Sequence, residues 1–93
     1  MLALTIQLDD GRIIVVRGRE AWALIKLIIA GTTGCSIFDS PAPRWSSYVH
    51  RLRKFGIPIG TIREAHHGPF AGLHARYVLR IPINIIEKTG GES

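Results

Sequence analysis

The sequence predicts one small α+β domain in which two β-hairpins flank a pair of helices. Three features predict it: apolar and polar residues alternate over Leu4-Thr-Ile-Gln-Leu8 just ahead of Asp10-Gly11, an apolar block runs from Ala21 to Ala30, and Ser40-Pro41 opens a two-sided segment that stops at Gly56. A chain of 93 residues that is 46 % hydrophobic has room for a single core. The expected domain covers residues 1–86, with a polar, frayed tail over 87–93.

The first hairpin occupies residues 2–17. Asp-Gly is a strong signal for a two-residue turn of the primed type. That turn sets Leu8 opposite Ile13 and Ile6 opposite Val15 on one face, leaving Thr5, Gln7, Ile14 and Val16 on the other. A lone hairpin is marginal in water, so its second face needs a further strand or a partner subunit. Residues 19–30 follow as the first helix, with Trp22, Ile25 and Ile29 on one stripe and Ala21, Leu24 and Ile28 beside it. Gly31 suits its C-cap. Cys35 to Asp39 reads as a brief strand, one helical turn, or both.

The second helix is expected over residues 41–55, with Ser40 as N-cap and Pro41 at the first helical position. Trp45, Tyr48, Val49, Leu52 and Phe55 form one apolar arc, while Arg44, Ser47, His50, Arg51 and Lys54 lie opposite. Arg53 falls at the side, where its aliphatic stem can lie along the surface. Residues 57–81 form the second hairpin, with Ile57, Ile59 and Ile62 pointing inward and a Gly/Pro-rich tip. On the returning strand, Tyr77 and Leu79 face away from Arg76, Val78 and Arg80. The expected core comprises Trp22, Ile25, Trp45, Val49, Leu52, Tyr77 and Leu79.

Charge is distributed unevenly. Twelve Lys and Arg against seven Asp and Glu give +5, yet the stretch from Arg44 to Arg80 carries +6 and is opposed only by Glu64. All four histidines lie in the same stretch. Such a block favours a polyanionic partner, nucleic acid before an anionic membrane.

The order of helix, short element, basic two-sided helix and hairpin resembles a winged helix-turn-helix domain over roughly Arg19 to Ile81. Pro43-Arg-Trp-Ser-Ser-Tyr-Val-His-Arg-Leu-Arg-Lys-Phe-Gly56 looks like its recognition helix. His67-Gly-Pro-Phe-Ala-Gly-Leu-His-Ala-Arg-Tyr-Val-Leu79 looks like its wing. Small bacterial and prophage-type winged-helix proteins are similar. Two features depart from the usual motif: the middle helix is short or degenerate, and an extra β-hairpin precedes the first helix. The resemblance implies a non-enzymatic, cytoplasmic, double-stranded DNA-binding factor in transcription regulation or an accessory role.

A helix has the width of the major groove, where base edges carry a readable code. Arg44 and Ser47 sit at the helix end that approaches base edges in such docking. His50, Arg51 and Lys54 suit backbone contacts further along, and Arg63, His66, His67 and Arg76 can reach adjacent phosphates or the minor groove from the wing. Two other readings stand beside this one. The domain can be a protein-interaction module, with a homodimer through the N-terminal hairpin. It can also bind single strands, for which Phe70 at the wing tip is the one obvious stacking residue.

Other chemistries find little support. No Gly-rich phosphate loop, nucleophile elbow or carboxylate pair occurs, so no catalysis, cofactor or small-molecule substrate is expected. A lone Cys35 excludes an internal disulfide, and a small buried apolar role suits it. A hairpin can bring two of His66, His67 and His74 together, but structural zinc usually takes four ligands, commonly thiolates, so no metal is expected. No apolar run reaches the ~20 residues of a membrane span, and the first residues lack the pattern of a secretory signal.

Overall fold

A computed structural model of the chain describes residues 1–68 and 72–90. The elements run β1 (Ala3–Gln7), β2 (Ile13–Arg17), α1 (Gly18–Ala30), β3 (Cys35–Ser36), α2 (Trp45–Lys54), β4 (Ile59–His66), β5 (Gly72–Leu79) and β6 (Asn84–Thr89). They make two antiparallel sheets, ordered β2-β1-β6 and β3-β5-β4, and both sheets and both helices contribute to one core.

The first hairpin folds one residue out of the expected register. Gln7 pairs with Ile13, Ile6 with Ile14 and Thr5 with Val15. Leu8 N–H donates to the Arg12 carbonyl at 2.9 Å and Gly11 N–H to the Leu8 carbonyl at 3.0 Å. The loop therefore holds three residues, Asp9, Asp10 and Gly11. Gly11 takes the left-handed conformation, φ +93°, that such a loop requires. Asp10 secures it by accepting the Arg12 backbone N–H at 3.0 Å and Arg12 Nε at 2.8 Å. A one-residue slip exchanges the faces of a strand. Val16 is accordingly buried and Ile14 half-buried beside Leu4, Ile6 and Leu8, whereas Ile13 and Val15 face outward.

β6 corrects the expected domain boundary. Glu87, Lys88 and Thr89 are paired with Thr5, Leu4 and Ala3 rather than frayed. Their polar side chains suit an exposed edge strand, which gives β1 a partner on its second edge and needs no apolar pattern of its own.

α1 is phased differently from the expected stripe. Ala21, Ala23, Leu24 and Leu27 are fully buried, Trp22 and Ile25 are half-buried, and Ile29 is 76 % exposed. Apolar residues cover most of this helix, so several phases satisfied the periodicity. The small Ala21 and Ala23 mark the side that lies deepest. Past the helix, a turn of 3-10 helix at Gly31–Thr33 leads to Gly34, which is left-handed at φ +74°. A Cβ there would lie 2.6 Å from Val78 Cγ2 and 2.7 Å from the Tyr77 carbonyl oxygen, so only glycine lets the chain enter β3 so close to β5.

A short strand and a turn at residues 37–39 stand where a middle helix would be. α2 then begins at Trp45, with Arg44 as N-cap, and not at Pro41 with Ser40. Pro43 disfavours the helical region for the residue before it, which keeps Ala42 out of a helix. Trp45 Nε1 also donates to the Ser40 carbonyl at 2.6 Å, fixing the preceding loop beneath the indole. The far end closes in a Schellman motif. Gly56 N–H donates to the Arg53 carbonyl at 2.9 Å and Ile57 N–H to the Leu52 carbonyl at 3.3 Å, with Gly56 at φ +89°. Phe55, past the last helical residue, is partly exposed instead of joining the core.

Aromatic contacts bind the layers together. The Trp22 ring lies 5.4 Å from Trp45 and edge-on to Tyr48 at 6.4 Å, while Trp45 stacks on Tyr77 of β5 at 6.1 Å. Trp45, Tyr48, Val49 and Leu52 are all buried, as the second helix's apolar arc requires. Within the described residues no helix is long and apolar enough to cross a membrane. Phe70 and Pro69 of the wing tip, and the end of the expected tail from Gly91 to Ser93, lie outside them.

Candidate nucleic-acid interface

α2 turns its buried side toward α1 and β5, which leaves Ser46, Ser47, His50, Arg51, Arg53 and Lys54 exposed. Ser47, His50 and Lys54 repeat at three- and four-residue steps and form one central strip, since such positions are neighbours on a helix. Arg51 flanks the strip on the α1 side, where Glu20 lies 3.6 Å away. Arg44 is exposed at the N-cap.

Arg53 occupies the other flank and does more than lie along the surface. Its Nε and Nη2 donate to the Ile59 carbonyl at 3.0 and 2.6 Å, and Nη2 also reaches Thr61 Oγ1 at 2.8 Å. This latch joins the basic side of α2 to the start of the wing without consuming a carboxylate. Its sequence position, six to eight residues ahead of those partners, carried no motif that would have revealed it.

Strand alternation then sorts the wing residues. Thr61 and Arg63 share the face that meets α2, with Tyr77 and Ala75 opposite them on β5. Ile62, Glu64, His66, His74 and Arg76 occupy the other face. Ile62, expected to point into the core, is consequently partly exposed. His67 follows β4 and is exposed.

Arg63 and Arg76, grouped together by the sequence, thus stand on opposite faces and differ in their surroundings. Arg76 Nε lies 2.9 Å from Glu64 Oε2, and its Nη1 lies 2.8 Å from Asp39 Oδ2. Nη1 also donates to the Gly34 carbonyl at 3.3 Å. Asp39 in turn accepts the Ser36 backbone N–H at 3.1 Å and its hydroxyl at 3.2 Å. The Ser36 amide and the Arg76 guanidinium hold the Asp39 carboxyl below its ordinary range, and Arg76, aided by His74, does the same for Glu64. Those carboxylates raise the Arg76 guanidinium in return. Arg76 therefore ties the loop before α2 to the wing and presents a matched charge.

The +6 block is thus less uniform in space than in sequence, because Glu20 and Asp39 fold in from outside it. Among the described residues of that block, Arg44, Arg53, Lys54, Arg63 and Arg80 have no carboxylate within ion-pair distance, and the first four lie at the N-cap of α2, on α2, or on the wing face that meets it.

A helix packed on a second helix through an aromatic cluster, with its basic side continued by one face of a three-stranded hairpin sheet, is the layout of a winged helix protein. A family model described as a winged helix domain matches residues 13–89, and the chain belongs to that family. The match includes β6 and the second strand of the first hairpin, β2, and begins after β1. Comparisons with curated proteins and with solved structures gave no match.

Proposed function

We propose that this domain is a non-enzymatic duplex DNA-binding factor of the cytoplasm, serving transcription regulation or an accessory role. The exposed strip of α2 enters the major groove, and the wing face bearing Arg63 lies on the backbone. The observation that carries this reading is that Arg44, Arg53, Lys54 and Arg63, each without a carboxylate within ion-pair distance, lie together along α2 and β4, joined by the Arg53 latch. Arg44 and Ser47 approach base edges from the N-terminal end of the helix, where an arginine can fork onto guanine. His50, Arg51 and Lys54 follow the strand further along, and Arg63 and His67 contact phosphates from the wing. Arg76 acts from behind by holding the wing to the loop before α2.

Fluorescence anisotropy with random-sequence duplex tests the proposal. Binding in the range of about 1–100 µM is expected at physiological salt, tightening at lower salt. Arg44→Ala with Lys54→Ala should weaken it for every sequence tried. Absence of binding by the folded wild type at the lowest salt overturns it.

A second reading has its own observation. Ile13 and Val15 are exposed side by side on the outer face of edge strand β2, which suits a homodimer or another protein contact through the N-terminal sheet. Ile13→Lys should abolish self-association in sedimentation while leaving the monomer folded. A wild type that is monomeric at high concentration removes the homodimer.

A further inference from the structure

β2 is an outer strand of its sheet, so one row of its backbone groups has no strand beside it. The hydrogen bonds at its two ends identify that row. Leu8 N–H donates to the Arg12 carbonyl at 2.9 Å, and Gly18 N–H donates to the Leu2 carbonyl at 2.8 Å. Bonded pairs alternate along an antiparallel ladder, so Ile14 and Val16 also turn their N–H and C=O groups toward β1. Ile13, Val15 and Arg17 turn theirs to the open edge. We infer that this edge pairs with the same edge of a second copy of the chain, antiparallel and about a two-fold axis at Ile14. The pairing joins two three-stranded sheets into one of six strands.

An exposed edge normally carries a device against such pairing, among them a lysine, a proline or a bulge. β6, at the other side of the sheet, has two of these. Its register against β1 shifts between Thr5 and Ile6, and it carries Lys88 beside Glu87. β2 has none of the three. It pairs with β1 in unbroken register, and Ile13-Ile-Val-Val16 is a continuous β-branched run. The side chains of Ile13 and Val15 are exposed next to the open backbone groups.

The two ends of the edge identify what covers it. Arg17 closes one end, and Asp9 and Asp10 lie in the loop at the other. Asp10 is held by Arg12, but among the described residues neither Asp9 nor Arg17 has an opposite charge within ion-pair distance. An antiparallel copy brings these unlike ends together. With the axis at Ile14, Ile13 faces Val15 of the second copy and Val15 faces its Ile13. Each of those pairs exchanges two N–H to C=O bonds, and their side chains make one apolar patch on the outer face. Two residues further out, Arg17 comes opposite Gly11 of the second copy, beside its Asp9, and the two-fold repeats this contact. Moving the axis to Val15 would keep the backbone bonds but set Arg17 against Ile13, leaving both charges unmatched. The charge pattern therefore selects a second copy of this strand and fixes its register. One short strand from each copy makes a small contact, which places the association in the weak, transient class. This inference rests on the second reading above and specifies it, since backbone pairing along the edge replaces packing through the outer face.

Sedimentation equilibrium of the full chain tests it, with each variant checked for folding by circular dichroism. The wild type should show a monomer–dimer equilibrium. Val15→Pro should weaken the dimer at least about tenfold, because it removes an edge N–H from each copy and leaves the bonds to β1 in place. Arg17→Glu and Asp9→Arg should each weaken it several-fold, and the two combined should restore it, because the charges are then exchanged. This exchange decides the matter even if Val15→Pro fails to fold. A wild type that stays monomeric at high chain concentration overturns the inference and the homodimer reading together. Dimerisation undiminished in folded Val15→Pro overturns the edge pairing alone and leaves packing through the outer face. Absence of rescue in the combined charge variant overturns the register about Ile14.

Discussion

Replacing Lys54 and Arg63 together with alanine removes two of the four cations without carboxylate partners along α2 and the wing face that meets it, one from each element. Each cation that neutralises a phosphate adds about −0.9 to the slope of log affinity against log salt. If Arg44, Arg53, Lys54 and Arg63 all engage, the wild-type slope is about −3.6, and affinity falls about 150-fold between about 50 and 200 mM salt. The double variant should have a slope of about −1.8 and lose only about 12-fold over the same range. Arg76→Met is the informative comparison, for it also removes a wing arginine. Its charge is already matched by Glu64 at 2.9 Å and Asp39 at 2.8 Å, so the slope should remain near the wild type's. Anisotropy with one random duplex measures all three proteins, each checked for folding by circular dichroism at the assay temperature. A double variant with the wild-type slope, or an Arg76→Met protein that loses as much slope as the double variant, would refute the division of the wing into a binding and a structural face.

Other expectations concern the fold. Gly34→Ala should cost at least about 2 kcal/mol by urea denaturation, from its left-handed conformation and the contacts with Val78 and the Tyr77 carbonyl, whereas Gly31→Ala, with open space around its Cβ position, should cost about 1 kcal/mol. Val16→Lys should unfold the domain because it buries an ammonium group without a partner, while Ile13→Lys on the same strand should change stability by less than about 0.5 kcal/mol. Asp39 and Glu64 titrate lower in the folded chain than in the unfolded one. Their stabilisation is present above the ordinary values of 3.8 and 4.5 and is lost as pH falls below them. Asp39→Asn with Glu64→Gln should therefore be less stable at neutral pH and show a flatter acid dependence of the urea midpoint; an unchanged acid limb would count against the Arg76 network.

The elements readable from sequence were those whose signals are local. α2 is an example: its buried arc and exposed strip follow from side chains at three- and four-residue steps, and its end follows from Gly56. Its start was misread because Pro41 is compatible with a helical first turn, while the competing constraint comes from Pro43 acting on Ala42 and from the Trp45 indole reaching back to Ser40. The first hairpin failed for a similar reason. Asp-Gly fits both a two-residue turn and the end of a three-residue loop, and both registers offer an apolar face: Ile13 with Val15, or Ile14 with Val16. Only packing against α1 and pairing with β6 distinguish them.

The candidate interface was legible to the same extent. Ser47, His50 and Lys54 could be placed because one helix determines their common direction. Arg63 and Arg76 could not be separated by composition, since both are arginines in one basic hairpin and the choice depends on strand register. Even a correct register would have supplied only Glu64 as a neighbour of Arg76. Asp39 reaches Arg76 from 37 residues away because Gly34 lets β3 lie against β5 and the following turn then folds back over the wing. One residue with no charge thus sets which arginine is neutralised. The sign of a basic segment can be counted from sequence, but the cations it leaves available depend on which carboxylates the fold delivers to it.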